Sequence, residues 1–168
     1  MTEFQTSESE LLNEFMSKPG GDVFQLIEQL GIDLVWDTSL GSKSGLIEFE
    51  DGKFTISVNA WENSRRQKFT AAHEVAHYVL HRDLLKKTGH LNRHTDTLFA
   101  DPSENNSAPF SDRHEVQANK FAARLLMPAR LVRQYYDQFD GNLSRLAGLF
   151  DVSKAAMKIR LKTLGLVH

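Results

Sequence analysis

The chain of 168 residues is 40% hydrophobic and 25% charged, which is enough for one domain with a real core and a small appendage. A formal charge of −2 and a pI near 6.4 exclude a broad electrostatic attraction for nucleic acid or anionic membrane. The absence of cysteine removes disulfides and thiolate ligands, leaves His and carboxylate as the metal-binding chemistry, and fits a reducing compartment. No run approaches membrane-spanning length, and the opening M-T-E-F-Q-T-S-E-S-E is polar and acidic without an apolar leader core, so the expected location is cytoplasmic.

Ser7-Glu8-Ser9-Glu10 has the form of a capping box, followed by Leu11, Leu12, Phe15 and Met16 at helical spacing. Pro19-Gly20-Gly21 ends that helix, and Asp22 with Gln25 caps a second whose apolar side is Val23, Phe24, Leu26, Ile27 and Leu30. Ile32 to Trp36 alternates as a strand, and Thr38 to Ser44 reads as a loop. If Asp51-Gly52 is a type I′ turn, then Glu50 faces Lys53, Phe49 faces Phe54, Glu48 faces Thr55 and Ile47 faces Ile56. Apolar residues then pair with apolar and opposite charges meet, which sets a hairpin from Gly45 to Asn59. An edge strand here is either a wall of the core or a place to hold a peptide by strand addition.

Ser64 and Gln67 offer the next cap, for a helix running to about His81 that carries H-E-x-x-H as His73, Glu74 and His77. Four residues turn a helix through roughly 40° beyond a full circle and raise it about 6 Å, so both imidazoles leave one face and can close on one ion. Neutral imidazoles suit Zn²⁺, and the neighbouring carboxylate can take a proton from water that the ion activates. Ala71, Ala72, Val75, Ala76, Val79 and Leu80 make the surroundings apolar, so this polar trio is buried and needs partners. Core histidines satisfied by backbone carbonyls would leave Glu74 without a role.

Asp83 to Asp112 is the least patterned stretch, interrupted by Gly89, Pro102, Asn105, Asn106 and Pro109 and anchored only by Leu84-Leu85 and Leu98-Phe99. His81, His90, His94 and His114 are set aside as ligands. His81 drifts around the helix from His73, and the others stand in polar surroundings. A zinc site needs a third protein ligand and an open position, and the candidate is Glu115 in H-E-V-Q-A-N-K-F-A-A-R-L-L-M-P. On a second buried helix it would complete a His₂Glu set, with Asn119 one turn later placed to orient a ligand imidazole. The bland alternative is a solvated carboxylate at the start of an amphipathic helix. Tyr78, Tyr135, Tyr136 and Arg124 are possible by type as donors to a developing oxyanion, and sequence does not choose among them.

Leu143 to Phe150 and Ser153 to Leu164 read as two helices about Asp151-Val152-Ser153, resembling a helix-turn-helix with Ala147 at its small position. Two residues depart from that pattern: Asp151 stands where Gly is usual, and Arg160 where an apolar core residue is expected. The last helix is basic through Lys154, Lys158, Arg160 and Lys162, a weak phosphate footprint on its own, so direct nucleic-acid binding is disfavoured relative to contact with a protein substrate.

Three segments, R-Q-K-F-T-A-A-H-E-V-A-H-Y-V-L-H (Arg66 to His81), E-V-Q-A-N-K-F-A-A-R-L-L-M-P (Glu115 to Pro128) and V-S-K-A-A-M-K-I-R-L-K-T-L-G-L (Val152 to Leu166), resemble the ImmA/IrrE family of zinc metallopeptidases. The resemblance implies one Zn²⁺ on His73, His77 and Glu115, Glu74 as general base, and a task of cutting a helix-turn-helix repressor of the XRE type. The expected architecture is α+β, a small and mainly antiparallel sheet on a zincin-type helical core over residues 1–128, followed by a helix-turn-helix-like segment over 129–168. The expected function is that of a zinc-dependent endopeptidase acting on a protein. The alternatives are a zinc-containing module that sequesters a regulator without cutting it and, third, a DNA-binding regulator.

Overall fold

The computed structural model describes residues 6–89 and 112–168. Over those residues the elements are α1 (Glu8–Phe15), α2 (Val23–Gln29), β1 (Asp33–Asp37), β2 (Gly45–Glu50), β3 (Lys53–Asn59), α3 (Ser64–Leu80), α4 (Arg82–Thr88), α5 (Asp112–Leu126), α6 (Ala129–Gln138), α7 (Leu143–Phe150) and α8 (Lys154–Thr163). The fold is α+β, a small sheet laid on a helical core. Among the described residues no helix is long and apolar enough to cross a membrane.

Helices begin where a short polar side chain can take the first orphan amides. Ser7 and Glu10 close the expected capping box at 3.3 and 3.0 Å, and Asp22 Oδ1 accepts from Phe24 N and Gln25 N. The cap of α3 differs from expectation: Asn63 Oδ1, not Ser64, accepts from Arg66 N at 2.9 Å. Gln67 turns back to donate to Asn59 O, tying the start of α3 to the end of β3.

The hairpin has the register read from sequence, Glu50 with Lys53 through Ile47 with Ile56. Asp51 and Gly52 both adopt positive φ, 51° and 78°, as a type I′ turn requires. The strand order is β1-β3-β2, with β1 parallel to β3, so the antiparallel hairpin is extended into a mixed sheet. Residues 38–44 carry the chain across the end of β3, and Asn59 fixes that crossing: its Nδ2 donates to Gly41 O and Lys43 O, and its backbone N–H to Ser44 O.

One face of the sheet, with Ile47, Ile56 and Val58 fully buried, packs on α3, where Ala71, Ala72 and Val75 are also fully buried. Each buried Ile or Val contributes about 1.5 to 3 kcal/mol. The approach is closest at Gly45, where an added Cβ would lie 2.5 Å from Thr70 Cγ2 and 2.8 Å from Ser57 O. On the other side of α3 lies α5, whose Ala118 and Ala122 are fully buried. Small residues on these helices let their axes come close.

The stretch from Asp83 onward was expected to lack pattern, yet it opens with α4. Asp83 sits in its first turn, Lys86 and Lys87 in its last, and Gly89 closes it at φ 77°, an arrangement that complements the helix dipole and its left-handed terminus. Gly89 O also accepts from Phe49 N, covering part of the outer edge of β2. Residues 90–111, with His90 and His94, lie outside the described residues.

The C-terminal helices fall as expected, α7 ending at Phe150 and α8 starting after Ser153, whose hydroxyl accepts from Ala156 N. Asp151 takes the left-handed conformation, φ 54° and ψ 47°, which Asp tolerates better than most residues. Its carboxylate faces Arg65 and the buried Lys68, both at 3.6 Å. Arg160 donates from Nε to Met127 O at 2.9 Å. One buried cluster runs from Val23 through α3 and α5 to Phe150, Met157 and Leu161, so α7 and α8 share the core that supports the site.

Candidate metal centre

The site is built where α3 and α5 face each other. Helical spacing puts His73 and His77 one turn apart on α3, and both are buried, with 3% and 0% of their surface exposed. From α5, Glu115 reaches the same point and is 8% exposed. Its Oε2 lies 2.9 Å from His73 Nε2 and its Oε1 3.2 Å from His77 Nε2, while the two Nε2 atoms are 3.2 Å apart. Ligands about 2.0 to 2.1 Å from a tetrahedral zinc stand about 3.3 Å from one another, so the donor set fits such an ion in both spacing and chemistry. This trio is the one group of His and carboxylates among the described residues whose donor atoms converge closely enough to hold a metal.

The nitrogens facing away from that point are also engaged. His73 Nδ1 is 2.7 Å from Asn119 Oδ1, the contact expected from the spacing on α5. His77 Nδ1 is 2.9 Å from His81 Nδ1, and His81 Nε2 is 2.9 Å from Gln117 Oε1. These contacts admit one consistent set of tautomers. With both Nε2 atoms turned to an ion, His73 donates from Nδ1 to Asn119 and His77 donates from Nδ1 to His81. His81 in turn donates from Nε2 to Gln117. Burial pushes the His81 imidazole below the ordinary histidine range, against the opposing hydrogen bond to Gln117.

Glu74 is 1% exposed, and its Oε1 lies 3.8 Å from the point a Cβ on Gly45 would occupy. The carboxylate expected from sequence to act as base is therefore buried on α3 close to the start of β2.

The sequence matches the peptidase family described as the IrrE N-terminal-like domain over residues 27–162. The chain belongs to that family. It is similar to metallopeptidase ImmA of Bacillus subtilis (strain 168), 25% identical over 127 residues that make up 75% of this chain and 67% of that one. Among solved structures it is similar to a transcriptional regulator of Mycobacterium tuberculosis, with a TM-score of 0.61 at 18% identity, covering 96% of this chain and 47% of that one. The chain thus spans about half of that regulator, and the likeness is one of fold. Membership in a metallopeptidase family implies a metal, and His73, His77 and Glu115 are the residues that could hold it.

His81 and Gln117 are the residues that sequence reasoning missed. His81 was set aside as a ligand, and it stands behind His77 rather than in the converging trio. The available signal was a second i, i+4 step, from His77 to His81. Of the four oxyanion-donor types considered, Tyr135 packs on Phe139 and Phe150, and Tyr136 donates to Leu166 O. Tyr78 packs edge-on against Phe54 beneath the Arg82 guanidinium. Arg124 lies nine residues along α5 from Glu115, about 13 Å at 1.5 Å per residue.

Proposed function

We propose that this chain is a zinc-dependent endopeptidase of the His-His-Glu, gluzincin-like type that hydrolyses a protein substrate, an XRE-type helix-turn-helix repressor. The observation that carries the reading is the convergence of His73, His77 and Glu115 at mutual distances of 2.9 to 3.2 Å, next in sequence to the buried carboxylate of Glu74. Bound there, zinc would supply Lewis acidity, acidifying a water toward neutral pH and polarising the scissile carbonyl. Glu74 takes the proton of the attacking water and hands it to the leaving amine. Asn119 holds the His73 ring, and His81 with Gln117 holds the His77 ring, so neither imidazole needs to reorient. A purely structural metal site would have no use for the carboxylate at Glu74.

The test is Glu74→Gln, which keeps size and packing but cannot accept the proton. Turnover should fall by about 10²- to 10⁴-fold, metal should stay bound, and the variant should capture the repressor that the wild type cuts. His77→Ala and Glu115→Ala should instead lose most of their zinc on metal analysis. Equal zinc in all three variants would remove the site. Cleavage undiminished in Glu74→Gln would remove the base. Capture that the wild type never converts to cleavage would favour sequestration.

A further inference from the structure

A groove of about 700 Å³ runs between the first half of α3, the second half of α5 and the exposed face of α8. Its floor is apolar, with Phe69, Ala123, Met127 and Ala156, and its rim is cationic at Lys120 and Arg124 on α5, while Arg65 and Arg66 on the α3 side are paired with Asp151 and Glu62. No carboxylate lines it among the described residues. Lys120 and Arg124 are exposed and form no salt bridge among the described residues. Arg160 shows the consequence: burial, then the neighbouring Arg124 and Arg133, hold its guanidinium below the ordinary arginine range. Positive charge is therefore gathered here on a chain whose net charge is −2. Ile159, 57% exposed, stands on the α8 wall.

At one end the groove reaches Asn119, the residue hydrogen-bonded to His73 Nδ1. It therefore meets the metal-binding trio from behind, on the side of His73 away from Glu115. An occupant would not block the reacting face, and it would bear on the residue that orients a ligand ring. From Asn119 to Met127 the α5 wall is about 12 Å long, room for two helical turns.

We propose that this groove is a docking site for an acidic amphipathic segment of the protein substrate, held apart from the bond that is cut. Apolar side chains of the segment fill the floor and its carboxylates meet Lys120 and Arg124. This inference rests on the peptidase reading for the occupant's identity, while its binding is measured separately from cleavage. An apolar floor favours a peptide over nucleic acid, whose phosphates would leave the half-buried Phe69 and Ala156 uncovered.

The experiment uses the full chain carrying Glu74→Gln, loaded with zinc, and fluorescence anisotropy of three labelled probes: a Leu/Glu amphipathic peptide, its Leu/Lys counterpart, and a single-stranded oligonucleotide. The Leu/Glu peptide should bind at least tenfold more tightly than either other probe at the same salt. Lys120→Glu with Arg124→Glu should weaken it at least tenfold and shift preference to the Leu/Lys peptide. Ile159→Asp should give a similar loss. These sites are exposed, so unchanged zinc content and melting temperature check the fold. The proposal is overturned by absent binding, by equal affinity for both peptides, by tighter binding of the oligonucleotide, or by a dimer of the chain that Ile159→Asp dissociates. None of these outcomes bears on turnover by the wild type, which tests the peptidase reading separately.

Discussion

Gly45→Ala tests whether the spacing between β2 and α3 positions the site. The added Cβ would stand 2.5 Å from Thr70 Cγ2 and 2.8 Å from Ser57 O, whereas carbon contacts settle at about 3.5 to 4.0 Å. The start of β2 must therefore retreat from α3 by about 1 Å, because Ser57 O belongs to the paired strand and cannot yield cheaply. Overpacking of this kind costs about 1 to 3 kcal/mol, out of a typical total of about 5 to 15 kcal/mol. At about 2 to 4 °C per kcal/mol for a chain of this size, the melting temperature should fall by about 2 to 12 °C. Glu74 Oε1 lies 3.8 Å from the same point, and a displacement of about 1 Å near reacting groups can cost about 10²-fold in rate. Thr70→Ser removes the methyl but keeps the hydroxyl, so adding it to Gly45→Ala should recover part of both losses while the Ser57 contact persists. Thermal melts and turnover on the cognate repressor decide the matter. A Gly45→Ala protein with unchanged melting temperature and activity would refute the steric argument, and failure of Thr70→Ser to recover either would place the whole cost on Ser57.

Asn119→Ala and His81→Ala should each weaken metal binding by about 10- to 100-fold, read by competition with a chromophoric chelator, with the protein still folded; unchanged affinity would mean that neither residue orients a ligand ring. Burial lowers the Lys68 pKa from its ordinary 10.5, with Asp151 opposing the shift. Between the lowered value and 10.5 the unfolded chain therefore holds more protons than the folded one, and stability rises with pH across that window. Lys68→Met removes the rise, so wild type should gain on the variant in urea melts as pH climbs from 8 toward 10, and parallel curves would contradict it.

What sequence made legible was local. The two histidines of the motif are fixed by helical geometry alone, and the hairpin register follows from one turn and pairing arithmetic. Glu115 stands 42 residues from His73 with no periodic pattern joining them, so its reach is a tertiary fact; residue type and family resemblance pointed to it. His81 stays outside the converging trio, as the sequence reading had it, but its place beside His77 was not read. Its backbone leaves the helical region, at φ −124° and ψ 25°, and its ring meets His77. The start of α4 was missed because Pro and Gly further on dominated the reading, although Asp83, Lys86, Lys87 and Gly89 are a helix signature in themselves. Asn63 and Ser64 are both good caps, and the choice between them depends on where the backbone is still extended, at Asn63 with φ −67° and ψ 159°.

The two departures from a helix-turn-helix pattern turn out to be places where local rules yield to tertiary contacts. Gly at position 151 would satisfy the left-handed turn, but it would leave the buried ammonium of Lys68 with Phe150 O, at 3.4 Å, and the more distant charge of Asp22. An apolar residue at position 160 would pack, but Met127 O, at the end of α5, would lose its donor. Arg160 therefore cannot be counted with the exposed Lys154, Lys158 and Lys162 as part of a basic outer face. Its guanidinium is directed into the protein, where it fastens α8 to α5. That attachment holds the exposed face of α8 opposite Lys120 and Arg124, so the residue that weakens the resemblance to a DNA reader also fastens the α8 wall of the groove to α5.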